Sequence, residues 1–391
     1  MFSDITDYPL PLFKRMTRGP LKILHVVISL GPGGMENGIV NVARALPPGE
    51  FEVHVCCLET SGAFAARLPQ PENVHVLRKP PGFSLRAVRD LHRVIRRVRP
   101  HVIHTHNLGP LIYAGLLKNL GCRTPLLHGE HHLLTADECS PRRRRQRNWF
   151  YRSCAQVHTV AKSVTAQLLE LGFPARKIIT LVNGVDSDRF QPADNTAVRR
   201  QLGLTAETNF VLGMVGRFIP LKRHTLVIAA FNRLAPANSG LHLLLLGSGG
   251  SEENNLRAQA AAGPAAERIH FTGFQNDPLP YYQAMDLLLV ASSQEGMSNA
   301  VMEAMACGVP VLATPVGGNP ELIRHAEDGW LATMDTADQL QTELEHFLRE
   351  PELLARLGRA ARENIIHQFS LDCMMEKYRR LYQTLAGVNP T

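Results

Sequence analysis

What this chain has little of narrows it first. Its seven cysteines include no CxxC pair, and only Cys56 and Cys57 are adjacent. Neither a disulfide framework nor a zinc-binding spacing is present, so reduced thiols are expected. Aromatic residues make up 6% of the chain, and no aromatic-basic binding motif is found, which leaves nucleic-acid binding without a vehicle. No run approaches the roughly 18 apolar residues that a membrane span needs. The opening MFSDITDYPLPLFKRMTRGP has no apolar core of signal-peptide length, so a cytoplasmic protein is expected. No internal repeat and no low-complexity segment stands out. Hydrophobic content of 45% and charged content of 20% belong to an ordinary globular chain, which excludes disordered and collagen-like readings.

What is present begins with charge. A formal net charge of +7 points to anionic partners, whether nucleotide diphosphates, lipid headgroups or nucleic acid. Short apolar runs alternate with helical stretches, the pattern of parallel βαβ units. In the first half the strand runs are 21–29, 51–58, 101–106, 125–131, 157–162 and 178–184. A helix is expected from Glu36 to Leu46, and another over 85–99 with Leu85, Val88, Leu91, Ile95 and Val98 on one face. A second series runs through 209–217, 241–249, 268–274, 285–292 and 309–315, after a polar stretch at 191–208 that holds no strand-like run. The expected division is an extension at 1–20, one α/β domain at 21–190, a second at 191–369, and a helix at 370–391 that crosses back to the first. Two doubly wound units imply a cleft for a ligand.

The sharpest local signal is SSQEGMSNAVMEAMACGVPV at 292–311. Glu295 and Gly296 make a turn, Ser298 or Asn299 caps a helix, and Cys307-Gly308 with Pro310 stops it. Glu295 and Glu303 stand in Glu-x7-Glu spacing, and an ionised carboxylate accepts from neighbouring hydroxyls of a polyhydroxy ligand. The amides at the helix start favour phosphate or sugar oxygens. In GRFIPLKR at 216–223, Arg217 and Lys222 follow a strand and a glycine, where together they can neutralise a diphosphate. The turn SLGPGGMENG at 29–38 places Gly33 and Gly34 at a helix start, but it is not a GxGxxG fingerprint, so a nicotinamide oxidoreductase reading is poor. Histidines gather in HTHN (His104, His106) and LLHGEHHLL (His128, His131, His132). His104 and His106 share a strand face, but no third metal ligand is identifiable, and no metal is expected.

Taken together, these blocks resemble the retaining glycosyltransferases of family 4. The resemblance runs from about residue 21 through GPGGMENG, PHVIHTH, LLHGEHH, LVNGVDSDRF, GMVGRFIPLK, LLLLGSG, FTGF and EGMSNAVMEAMACGVPVLATPVGGNPELI. MENGIVN with HGEHH looks like a subgroup found with bacterial exopolysaccharide and protein-sorting gene clusters. The resemblance implies the GT-B fold, two Rossmann-like α/β domains facing a central cleft. It implies that Arg217 and Lys222 hold a donor diphosphate, that Glu303 accepts from the ribose hydroxyls, and that Glu295 with the amides of Gly296, Met297 and Ser298 faces the transferred sugar. His131 would stand beside that sugar, with His128 as the alternative because HGEHH permits a slipped alignment. Gly34 would abut the donor phosphates or the acceptor, Phe271 to Phe274 would border the base, and Asn183 to Asp186 would mark the end of the first domain. His132 departs from the small or acidic residue that several branches carry.

The function expected from this is metal-independent transfer of a hexose-type sugar from a UDP- or GDP-sugar to a glycan, lipid-linked or small polyol acceptor, in polysaccharide or glycoconjugate synthesis. No cofactor beyond the nucleotide-sugar co-substrate is expected, and no nucleic acid. Arg142 to Arg145, Arg147 and Arg152 near Trp149, Phe150 and Tyr151 suggest peripheral contact with an anionic inner membrane face. A sugar-nucleotide epimerase of the same fold is the alternative, and a basic nucleic-acid-binding protein a further one.

Overall fold

The computed structural model describes residues 19–194, 196–204 and 210–388. They form two compact units: one runs to Asn183 and resumes at Leu371, and the other is Gly184–Ser370. The expected extension at 1–20 lies almost wholly outside the described residues.

The first unit is a parallel seven-stranded sheet: β1 (Leu21–Ser29), β2 (Phe51–Thr60), β3 (Val74–Val76), β4 (Val102–His106), β5 (Leu126–Glu130), β6 (Gln156–Thr159) and β7 (Ile178–Thr180). Their spatial order is β3-β2-β1-β4-β5-β6-β7. The run Leu21–Val27 is buried almost throughout, as a strand covered on both faces must be. The helix Leu85–Val98 begins where the Ser84 hydroxyl accepts from the Ala87 amide at 3.2 Å. It ends at Arg99, held left-handed at φ 52°. Val88, Leu91, Ile95 and Val98 are buried on its inner face, but Leu85 is 76% exposed. Leu85 opens the first turn and points away from the core, so the expected stripe loses its first member.

The second unit holds β8 (Phe210–Val215), β9 (Leu241–Leu246), β10 (Ile269–Gly273), β11 (Leu287–Val290), β12 (Val311–Ala313) and β13 (Trp330–Leu331), all parallel in the order β10-β9-β8-β11-β12-β13. In both sheets the strand order reverses beside the first strand. Such a switch point opens a crevice at the carboxyl ends of the strands.

The units divide at Asn183–Gly184, a few residues before the polar stretch. Val185 bridges Ser370, and its amide donates to the Phe369 carbonyl at 2.9 Å, so residues 184–190 are tied into the second unit. The helix Leu371–Ala386 belongs to the first. There Met374, Tyr378, Leu381 and Tyr382 pack with Leu21, Ile23, Val102 and Leu127. No helix among the described residues is long and apolar enough to cross a membrane.

Candidate active site

In the second unit, the loops at the carboxyl ends of β8, β9, β11 and β12 are knitted by backbone contacts. The Phe218 amide donates to the Gly249 carbonyl at 2.8 Å, Ser293 to Leu221 at 2.9 Å, and Gly318 to Gly296 at 2.7 Å. Glycines set how closely these loops approach. A Cβ on Gly247 would lie 2.0 Å from the Gly216 carbonyl oxygen, and one on Gly317, whose φ is +57°, would lie 2.1 Å from that of Glu295. Gly317 and Gly318 are therefore the floor under the Glu295 turn. Two adjacent glycines in VGGNPE were the only signal in the chain, and it went unread.

On this frame sit the residues expected from sequence. Lys222 donates to Glu295 Oε1 at 2.5 Å, and the Ser292 hydroxyl donates to the same oxygen at 2.6 Å. Arg217 is exposed, and no described residue partners its guanidinium. Ser298 caps the helix Asn299–Ala306 by accepting from the Val301 amide. The Met297 side chain is 7% exposed, packed under Gly318, so this residue offers its backbone amide alone. Glu303 accepts from the Tyr282 hydroxyl at 2.7 Å. Burial, then the charge of Glu303, holds that phenol well above its ordinary range. Phe274 is 44% exposed, while Phe271 packs against Phe218 and lies under the Arg257 guanidinium.

In the first unit, a recess at the β1/β4 switch point is lined by Gly34, Met35, Gly38, His104, His106 and His131, together with Asn183 and Tyr378. Gly34 and His131, expected at a ligand, are brought together here. His128 is not. His128 and Glu130 have the same parity on β5, so both point to the opposite sheet face. There His128 is fully buried, 2.9 Å from the Thr105 hydroxyl and 3.2 Å from Glu130. His132 also turns away, pairing with Glu138 at 3.1 Å. Asn183, read only as a boundary mark, lines the recess. The third imidazole near His104 and His106 is His25, and one nitrogen of each lies within 4.8 Å of the others. Both nitrogens of all three rings are engaged with other imidazoles or with Tyr382.

One expected surface residue is interior. Arg147 is fully buried, with Nε 3.1 Å from Glu130 and Nη2 3.0 Å from Glu138. Phe150 and Tyr151 are buried as well. The basic surface of the helix Pro141–Ser153 thus keeps Arg142 to Arg145 and Arg152, with Trp149 as its exposed aromatic at 61%.

Comparison with known proteins fits this geometry. The family described as Glycosyltransferase Family 4 matches residues 32–189, and Glycosyl transferases group 1 matches 195–364. The two follow one another over most of the chain, which carries these two glycosyltransferase domains in turn on a fold of the GT-B kind. Among its relatives, N-acetyl-alpha-D-glucosaminyl L-malate synthase of Bacillus anthracis is 29% identical over 58% of each chain. The alignment thus spans less than two thirds of that relative's length. An Escherichia coli enzyme, UDP-Gal:alpha-D-GlcNAc-diphosphoundecaprenol alpha-1,3-galactosyltransferase, is 23% identical over 94% of this chain and 98% of its own. Anabaena Alr3699/HepE, solved with UDP-glucose, superposes with a TM-score of 0.83 at 23% identity, over 93% of this chain and all of that one.

Proposed function

We propose that this chain moves a hexose-type sugar from a nucleoside-diphosphate sugar to a hydroxyl of a glycan, lipid-linked or small polyol acceptor, in glycoconjugate synthesis, with retention at the anomeric carbon. The observation that carries the reading is the Lys222–Glu295 pair next to the amides that open the helix Asn299–Ala306, with Arg217, exposed and without a partner among the described residues, directly after the Gly216 that Lys222 packs against. A diphosphate would take Arg217 and draw Lys222 from Glu295, leaving that carboxylate to accept from sugar hydroxyls. A relative named for UDP-Gal and a neighbour solved with UDP-glucose support this donor class.

The bond from the anomeric carbon to the donor phosphate oxygen breaks, and one to the acceptor oxygen forms on the same face. The acceptor proton passes to the departing diphosphate. Arg217, Lys222 and the amides of Gly296 to Ser298 stabilise the charge that develops there, the role a metal otherwise fills. His131 hydrogen-bonds a sugar oxygen.

A thermal-shift panel of UDP-, GDP- and ADP-sugars tests the donor. One of them is expected to stabilise the chain by about 2.7 kcal/mol at a hundredfold excess over its dissociation constant. No shift with any of them counts against the reading, and a new sugar epimer formed from donor alone would favour an epimerase. Transfer is expected to survive EDTA; loss restored by manganese would overturn metal independence.

Gly317→Val is expected to leave both sheets folded yet lower transfer about 100-fold, because displacing a ligand-facing turn by about 1 Å costs that much. Wild-type rates in this variant would remove the Glu295 turn from the ligand site.

Contact with an anionic membrane belongs to the same reading, since Arg142 to Arg145 and Trp149 stand together on one exposed helix. Flotation with vesicles containing anionic lipid, and none with neutral vesicles, is the expected result. Equal behaviour with both would end the idea.

A further inference from the structure

Behind His131 runs a line of side chains for which the proposed chemistry has no use. His131 Nε2 meets His106 Nδ1 at 2.9 Å, and His106 Nε2 meets His25 Nδ1 at 2.9 Å. His25 Nε2 stands 3.5 Å from the Tyr382 hydroxyl, the longest link. That hydroxyl meets His104 Nδ1 at 2.9 Å, and His104 Nε2 meets His158 Nε2 at 2.8 Å. Every inner ring uses both nitrogens, and none is used twice.

The sheet register builds this line. His25 pairs with His104 across β1 and β4, and Gly129 sits between His106 on β4 and His158 on β6. A Cβ on Gly129 would come 2.5 Å from His158 Nε2 and 2.8 Å from His131 Nε2. Glycine at this position gives both rings room on one face.

A proton count follows. Burial holds His25 and His131 down to about 3 and takes His104, His106 and His158 well below the ordinary imidazole value, with neighbouring imidazoles adding to the effect on all but His25. Burial also raises the Tyr382 phenol well above its ordinary range. Five neutral imidazoles and one phenol carry six protons, and the five contacts hold one each. The sixth proton must sit on a terminal nitrogen, either His131 Nδ1 or His158 Nδ1. His158 Nδ1 is buried and is left without a well-aligned hydrogen bond among the described residues, the Thr159 backbone giving the ring only the weakest of the pulls on it. His131 is part-exposed and lines the recess, where water accepts a proton. An orphaned buried N–H is rarer than an under-used acceptor, so the proton belongs on His131.

We propose that His25, His104, His106, His158 and Tyr382 are positioning residues that lock His131 in its Nδ1–H tautomer, so that the recess presents a hydrogen-bond donor to a ligand oxygen. The tautomer stands on the hydrogen-bonded line and on the burial that keeps its rings neutral; only the identity of that oxygen, a sugar's, rests on the sugar-transfer reading.

The test is nitrogen NMR of the imidazoles in the ¹⁵N-labelled full chain at neutral pH, since ring protons are otherwise assigned rather than seen. The expected pattern is Nδ1–H for His131, His106, His25 and His104, with Nε2–H for His158. The reverse set, a mixed set or an imidazolium among the five overturns the proposal. Tyr382→Phe keeps the shape and strips the hydroxyl; it leaves His104 Nδ1 and His158 Nδ1 alike without a well-aligned partner, so the single tautomers of these two rings are expected to give way to a mixture, and unchanged signals overturn the link through Tyr382. His106→Phe is expected to release His131 into a mixture of tautomers and to lower transfer on the order of tenfold. An unchanged His131 in that variant again overturns the proposal. If the tautomer pattern is found in a chain that transfers no sugar, the positioning line stands and the transfer reading alone falls.

Discussion

Arg217→Ala and Lys222→Ala are each expected to lower kcat/KM for the nucleotide-sugar donor about 10²–10³-fold, the loss typical when one preorganised donor to a developing anion is removed. Folding is not the reason for that loss in the first case. Arg217 is exposed and no described residue partners its guanidinium, so its removal should cost stability no more than about 0.5 kcal/mol. Lys222 differs because it neutralises Glu295 at 2.5 Å. Its removal leaves a carboxylate that is 10% exposed with only the Ser292 hydroxyl among its described partners. Glu295→Gln separates the two effects. It frees Lys222 for phosphate, so the free nucleoside diphosphate is expected to bind at least as tightly as to wild type, while transfer falls because the sugar hydroxyls lose an ionised acceptor. Nucleotide titration and steady-state rates on the same three variants decide the matter. Wild-type rates in Arg217→Ala and Lys222→Ala would sink the phosphate clamp.

The helix after the Glu295 turn was legible because local chemistry marks it. Ser298 caps, Gly308 stops, and the intervening helix of small residues carries Glu303 to Tyr282. Most strands were legible for a similar reason, since a parallel strand covered on both faces is a continuous apolar run. Two of the four edge strands were not. β3 has three residues and is half exposed, and β13 has two, too few for any period to show. The polar stretch set the division at 190/191, while the resemblance marked Asn183 to Asp186; the units part after Asn183, where Val185 meets Ser370, a contact with no local trace. The same holds for the partners of the site. Lys222 and Glu295 are 73 residues apart, and His104 and Tyr382 are 278 apart. The choice between His128 and His131 did lie within reach of strand parity. His128 and Glu130 must share a face, and His131, just past the strand end, is free to turn to the recess. Arg147 was misread for the opposite reason. In a run of arginines, composition says surface, and only the carboxylates of Glu130 and Glu138 draw this one inward.

Arg147→Ala is expected to destabilise the first unit by about 3–5 kcal/mol, the cost of breaking a buried pair and leaving one charge behind. The charge left is Glu130, fully buried, with Tyr151 donating to Oε1 at 2.6 Å and Oε2 without a described partner. Burial pushes this carboxyl up, but the His128 hydrogen bond, the charges of His128 and Arg147, and the Tyr151 bond pull it well below its ordinary value. Glu138 is lowered to about 2, chiefly by the hydrogen bond from His132. A carboxyl depressed in the folded state adds stability that is complete above its unfolded value, 4.5 for Glu138, and is lost as pH falls through its folded value, about 2. Acid unfolding of the first unit is therefore expected between those limits in wild type. In Arg147→Ala, Glu130 loses part of what holds it ionised, so unfolding should begin at higher pH. Urea midpoints across that range, followed by a probe within this unit because two units need not unfold together, give the measurement. Pairing Arg147→Met with Glu130→Gln removes both charges and should recover most of the loss. If the single variant matches wild type at neutral pH, Arg147 is not holding Glu130. The strand end just before His131 must then take its position from the sheet alone.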